Sequence, residues 1–315
     1  MSCRAIFFGT PDFAVPCLQA LCEVAEVTLV VTQPDRKAGR GMKLTAPAVK
    51  LAAQELGIEV AQPRKVRTEA FAQRMRDQRA DVGLVVAYGR ILPLAVLDAP
   101  RLGMLNVHGS LLPKYRGAAP IQWAIARGET ETGVCLMRMD EGMDTGPELA
   151  RRVVPIAPDD NAGELWQRLS RLGATIVRQE LPRYMAGELE AVEQDHAAAT
   201  MAPVLSRADG EVRWDASARE VHDLIRGMTP WPGAYTFLSG RRVKLHRASV
   251  LSDTADAGEA GKVIRADGHG IEVACGGGVL SLLELQLAGK KRMDAAQVCA
   301  GRLLGDDPHF SGEDE

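Results

Sequence analysis

Short apolar runs alternate with amphipathic stretches through the first 185 or so residues, and that alternation predicts the elements. Ala5-Ile6-Phe7-Phe8 reads as a buried strand, followed by Gly9-Thr10-Pro11-Asp12 and a helix over 13–22. Apolar runs at 27–31, 82–86 and 104–107 read as further buried strands, and another strand is expected over 133–139. Helical spacing of apolar residues marks 47–56 and 68–78. Runs that are apolar at every position belong to strands covered on both faces. Strand and helix in this rhythm predict an α/β fold, a doubly wound, mostly parallel sheet. Ligands of such sheets sit in the crevice beyond the carboxyl ends of the strands.

The pattern changes after one long amphipathic helix over 161–185. Residues 187–207 are polar and Ala-rich, with Pro203, and read as a linker. A helix over 217–228 then precedes short strands near 234–238, 241–250, 260–266, 270–274 and 279–287, separated by glycines. Five short strands with Gly-rich turns predict a small OB-like β-barrel. The expected organisation is therefore a domain over 1–186, a linker over 187–207 and a second domain over 208–315.

Composition narrows the class. A 46% apolar and 25% charged share over 315 residues is that of a globular protein of two domains. Aromatics at 4% argue against a surface of base-stacking platforms, and a net charge of −3 confines any nucleic-acid contact to local patches. The six cysteines (3, 17, 22, 135, 275 and 299) form no C-x-x-C pair, and no histidine is spaced to complete a metal site. They read as buried small hydrophobes of a reducing compartment. The first residues run straight into a strand without a signal core, and no apolar run approaches the roughly 20 residues that span a bilayer. A cytoplasmic monomer without a membrane partner is the expectation. Gly9-Thr10-Pro11 stands where a dinucleotide-binding G-x-G-x-x-G would, which disfavours a dinucleotide cofactor. The histidines at 196, 222, 246, 269 and 309 have no partner at a suggestive spacing and read as surface or capping residues.

The chemistry lies between 106 and 146. Asn106 and His108 are two apart at a strand end, so both side chains emerge on one face. Asp144 lies between Gly142 and Gly146, in the loop after the strand expected at 133–139. Each half alone is weak, since N-x-H is common and D-x-G usually marks a turn. An amide, an imidazole and a carboxylate at strand ends of one sheet suit acyl-type transfer to an amine.

N-V-H-G-S-L-L-P-K-Y-R-G-A-A-P-I (106–121) resembles the signature of the folate-dependent formyltransferases. G-T-P-D-F (9–13), T-Q-P-D-R-K-A-G-R-G (32–41), V-V-A-Y-G-R-I-L-P (85–93), P-W-P-G-A (230–234) and L-A-G-K-K-R-M (287–293) are similar to the branch of that family that acts on methionyl-tRNA. The resemblance spans nearly the whole chain in order; Cys135 stands where that branch has Thr. It implies that the methionyl α-amino group attacks the formyl carbon of 10-formyltetrahydrofolate, for translation initiation. Asn106 would donate to the oxyanion, protonated His108 would stabilise it, and Asp144 would orient His108 and help remove the amine's proton. An α-amino group of pKa about 7.7–8.0 needs only a light base, and no metal is implied. Ser110, Leu111, Leu112 and Pro113 would bind the folate, and Val86, Tyr88, Ile91, Leu92 and Asp140 would line its pterin. Without the resemblance, Leu111, Leu112, Ile91 and Leu92 read as core.

The resemblance also implies a loop reaching initiator methionyl-tRNA, and Arg36, Lys37, Arg40 and Lys43 put four cations into eight residues there. Arg241, Arg242 and Lys244, with Arg247, and Lys290 and Lys291, with Arg292, are further candidates, although both clusters also suit an ordinary charged barrel surface. Two other functions stay open: formyl transfer to a small amine, such as an amino-sugar nucleotide or glycinamide ribonucleotide, and RNA binding without catalysis.

Overall fold

A computed structural model describes residues 3–38, 42–254 and 257–312; Arg40 and the acidic end 313–315 lie outside the described residues. The chain forms two compact units. The first takes Met1–Pro120, Glu131–Val154 and Trp166–Pro203, the second Ile121–Thr130, Pro155–Leu165 and Val204–Glu315. Each unit thus draws on several stretches of chain, which no shift in composition marks.

In chain order the elements to Ala202 are β1 (Arg4–Gly9), α1 (Val15–Val24), β2 (Glu26–Val31), β3 (Arg36–Ala38), β4 (Lys43–Thr45), α2 (Ala48–Glu55) and β5 (Val60–Ala61). Then come α3 (Glu69–Asp77), β6 (Val82–Val86), α4 (Leu94–Leu97), β7 (Met104–His108), β8 (Arg116–Gly117) and α5 (Pro120–Ala126). They end with β9 (Glu131–Arg138), β10 (Glu148–Pro155), α6 (Ala162–Met185) and β11 (Met201–Ala202). The main sheet has the order β10-β9-β7-β6-β1-β2-β5. Strands β5, β2, β1, β6 and β7 run parallel, and β9 is antiparallel to β7. The doubly wound, mostly parallel sheet is therefore as expected. Every residue of β6 and β7 is buried, Asn106 and His108 among them, on strands otherwise apolar.

Local chemistry starts the helices. The Thr68 side chain accepts from Phe71 N at the head of α3. Asn161 and Glu164 bond each other's backbone N–H at the head of α6, a capping box that satisfies two otherwise orphaned donors. Phe8 of β1 anchors the core of this unit, edge-on to Phe71 at 6.4 Å and to Tyr88 at 5.3 Å.

In the second unit α7 (Ala218–Gly227) precedes β12 (Ala234–Leu238), β13 (Arg241–Ser252), β14 (Val263–Ala266), β15 (Ile271–Ala274) and β16 (Val279–Leu287). The chain ends through β17 (Met293–Asp294), α8 (Ala295–Ala300) and β18 (Phe310–Ser311). The antiparallel order β14-β15-β16-β13-β12-β18 curls round until Lys262 bridges His309, with Val263 N donating to Pro308 O (3.1 Å) and Phe310 N to Gly261 O (2.8 Å). This is the small OB-like barrel that the spaced strands predict. Inside it Trp214 stacks on Phe310 at 5.7 Å and donates from Nε1 to Thr236 Oγ1 (2.9 Å).

Some expectations are corrected. His222 is not a surface residue: it is buried on α7, with Nδ1 3.5 Å from Asp223 Oδ1, and Arg226 donates to the same carboxylate. All six cysteines are free; Cys17, Cys135 and Cys275 are buried and the other three are half-buried. Burial pushes the Cys17 and Cys275 thiols up to about 12. Among the described residues no group of three or more His, Cys, Asp or Glu is placed to hold a metal ion, and no helix is long and apolar enough to cross a membrane.

Candidate active site

Strand period 2 sends Asn106 and His108 to the same side of β7, both nearly buried at 9% and 6% exposure. Beyond β7 the chain doubles back. Ser110 Oγ donates to Lys114 O (2.7 Å), and Leu112 packs with Cys135 and Met137. Tyr115, in the left-handed region at φ 61°, then turns its carbonyl to His108 Nε2 at 2.9 Å. A carbonyl only accepts, so Nε2 carries the proton of that bond.

Nδ1 faces Asp144, with Oδ2 at 3.7 Å. Asp144 Oδ1 accepts from Asn106 Nδ2 (3.2 Å) and Oδ2 accepts from Gly117 N (2.9 Å). Its side chain is 17% exposed, so the constellation opens to solvent on the carboxylate side. The loop that carries it is tied by Asp140, whose Oδ1 accepts from Gly142 N (3.0 Å) and Thr145 Oγ1 (2.7 Å). Gly146 closes the loop where no side chain fits, since a Cβ there would lie 1.9 Å from Arg138 O. The amide, imidazole and carboxylate singled out in the sequence therefore meet in the first unit.

Asp144 also lines a cavity of about 100 Å³, with Arg90, Ile91, Leu92, Met137, Met139, Asp140, Gly142 and Met143. A second cavity of about 460 Å³ shares Ile91 and Leu92 and continues past Arg67, Thr68, Pro93 and Leu94. Of the candidate folate residues, Ile91, Leu92 and Asp140 lie on these walls. Val86 and Tyr88 are fully buried and off them, and so are Ser110 and Leu112, while Leu111 and Pro113 are half-buried. Tyr88 contributes backbone: its carbonyl accepts from Thr10 Oγ1 (3.0 Å) and from Gln33 Nε2 (3.2 Å). Burial pushes its hydroxyl up to about 12, which removes it from proton transfer near neutrality.

The candidate RNA contacts among the described residues are exposed. Arg36, Lys37 and Lys43 lie on the β3–β4 hairpin, where Ala38 pairs with Lys43. In the barrel, the register Val243–Leu287 and Lys244–Gln286 brings Arg241, Arg242 and Lys244 to the end of β13 beside the turn that carries Lys290 and Lys291. Arg242 lies 3.4 Å over the Tyr235 ring.

Several participants escaped the sequence reading. Arg116 and Gln33 sit inside quoted motifs but carry no spacing signal. Met137 and Met139 read only as apolar positions of a strand. Gln194, which contacts the Asp144 loop, falls in the segment read as a linker.

Comparison with known proteins identifies the family. The formyl transferase family model matches residues 3–181, and the formyl transferase C-terminal domain matches 204–303. The methionyl-tRNA formyltransferase of Sorangium cellulosum is 55% identical over 303 residues, 96% of this chain and 97% of that protein. The enzyme of the same name from Myxococcus xanthus is 48% identical over 98% of this chain and 99% of its own. Among solved structures, an N-formyltransferase from Helicobacter canadensis, in complex with folinic acid and dTDP-3-aminofucose, has TM-score 0.65 at 17% identity, covering 90% of this chain and 99% of that one. HypX from Aquifex aeolicus, in complex with tetrahydrofolic acid, has TM-score 0.61 at 17% identity, covering 97% of this chain and 48% of that one. These two likenesses concern the fold. On full-length identity near one half, and on both domain matches, the chain belongs to the methionyl-tRNA formyltransferase family.

Proposed function

We propose that the chain moves the formyl group of 10-formyltetrahydrofolate onto the α-amino group of initiator methionyl-tRNA, with Asn106, His108 and Asp144 as the reacting constellation. The observation that carries this reading is the meeting of the three side chains beside a cavity walled by methionines, Ile91 and Leu92, with Asp140 at its edge. Apolar faces and a polar rim suit a flat heterocycle. The folate supplies an electrophilic formyl carbon and the tRNA the amine; the chain supplies the groups that orient them and move the proton.

One amide N–H of Asn106 is engaged by Asp144, which leaves the second for the formyl oxygen as it gains charge. His108, fixed through Nε2 on Tyr115 O, presents Nδ1 to Asp144. Protonated there, it places a positive charge at the site, balanced by the carboxylate. Asp144, the most exposed of the three, receives the proton that leaves the amine and returns it to N10 as the bond between N10 and the formyl carbon breaks and tetrahydrofolate departs. All the groups come from one chain, so a monomer suffices. A charged tRNA as acceptor sets the reaction in the cytoplasm.

The exposed cations explain how a large acceptor is held. We assign Arg36, Lys37 and Lys43 on the hairpin, and Arg241, Arg242, Lys244, Lys290 and Lys291 on the barrel, to the RNA backbone. An acceptor panel tests the function: initiator methionyl-tRNA, glycinamide ribonucleotide and an amino-sugar nucleotide, each with 10-formyltetrahydrofolate. Formyl transfer is expected to the tRNA alone; transfer only to a small amine overturns the assignment. In the same assay, tRNA affinity falls with salt, and the paired substitution Lys244→Ala and Lys291→Ala lowers the log–log slope by about 0.9 per lost phosphate contact. An unchanged slope removes that patch from the interface.

A further inference from the structure

Residues 187–203 carry no sequence motif, yet this segment joins the two halves of the site. The Gln194 side chain is 8% exposed and both ends of its amide are used. Nε2 donates to Asp144 O (3.0 Å) and Gly146 O (2.7 Å). Oε1 accepts from Arg116 Nε (3.2 Å) and Nη2 (2.7 Å). Arg116 is itself buried, and its Nη2 also meets His196 Nδ1 at 3.0 Å.

The backbone repeats the connection. Tyr115 N donates to Thr200 Oγ1 and Arg116 N to Thr200 O, both at 2.9 Å, and β8 pairs in parallel with β11. The segment 194–202 thus grips the stretch that offers Tyr115 O to His108 and Gly117 N to Asp144. Asp144 sits at φ 53°, a left-handed conformation that non-glycine residues keep only where the surroundings over-determine it. The two bonds from Gln194, one to its own carbonyl and one to that of Gly146, supply the constraint.

We propose that Gln194, held by Arg116, is a positioning residue for Asp144. This rests on the assignment of Asp144 to the reaction. An amide is the group the place requires, with donors at one end and an acceptor at the other. A carboxylate keeps the contact to Arg116 but turns an oxygen onto two carbonyl oxygens. Methionine keeps the volume and loses every bond.

The test is steady-state kinetics of Gln194→Met and Gln194→Glu beside Asp144→Asn, with melting temperatures and kcat measured from pH 5.5 to 8.5. Misplacement of a reacting group by about 1 Å costs on the order of 10²-fold. Both Gln194 variants should therefore lose about 10- to 100-fold in kcat, with KM for either substrate within about 3-fold and melting near that of the parent. The glutamate variant should approach the parent as pH falls, because a protonated carboxyl can again donate. Parent-like kcat in folded Gln194→Met, with Asp144→Asn inactive, overturns the positioning role alone. A kcat loss that tracks lost folded protein, or no pH recovery of the glutamate variant, overturns it too. Full turnover in Asp144→Asn overturns the underlying assignment of Asp144.

Discussion

Asn106→Ala should lower kcat by about 10²–10³-fold with KM little changed, the loss expected when one preorganised donor to a developing oxyanion is removed. The residue is 9% exposed on a strand buried along its length, so truncation leaves the backbone in place. It also removes one of the two N–H donors to the Asp144 carboxylate. Asn106→Asp sharpens the result. It keeps the shape but sets a second carboxylate where an amide nitrogen now lies 3.2 Å from Asp144 Oδ1, and should lose at least as much. His108→Ala should cost at least about 10²-fold, since the imidazole opposite Asp144 disappears. Single-turnover and steady-state assays on folded variants check each. Near-parental turnover in either position removes that residue from the mechanism.

Phe8→Ala should destabilise the first unit by about 3–5 kcal/mol, the range for emptying a buried aromatic site. Phe8 is fully buried on the central strand, flanked in register by Val31 and Val85. Its ring is edge-on to both Phe71 and Tyr88, pairs worth about 0.5–1.5 kcal/mol each beyond area alone. The hole also undermines the site, because Tyr88 is the residue whose carbonyl gathers Thr10 and Gln33. Urea denaturation of the variant measures the change; a loss below about 1 kcal/mol would show that the core collapses around the gap.

Strands β1, β6 and β7 were legible because burial on both faces leaves mostly apolar runs, interrupted in β7 by Asn106 and His108. The pairing of Asn106 with His108 was legible because strand period fixes the side each takes. Elements of two residues, β5, β8, β11, β17 and β18, are shorter than any period and left no trace. Strand β10 alternates weakly in burial and carries Arg151 and Arg152, so it reads as solvated chain. The contacts that complete the site are Tyr115 O and Gly117 N, backbone atoms whose aim depends on positive φ at Tyr115, Gly117 and Asp144 rather than on side-chain pattern. Gln194 lies among polar residues and alanines, where nothing local separates a brace from a linker. His222 shows the converse: a titratable residue was read as surface, although its place on the apolar side of α7 puts it inside.

The central claim is that the formyl group is handled where Asn106, His108 and Asp144 converge. A crystal structure with a non-transferable 10-formyl folate analogue tests it most directly. The formyl oxygen is expected at about 2.7–3.1 Å from Asn106 Nδ2, beside His108, with the formyl carbon open towards Asp144. A formyl group bound out of reach of both Asn106 and His108 would contradict it.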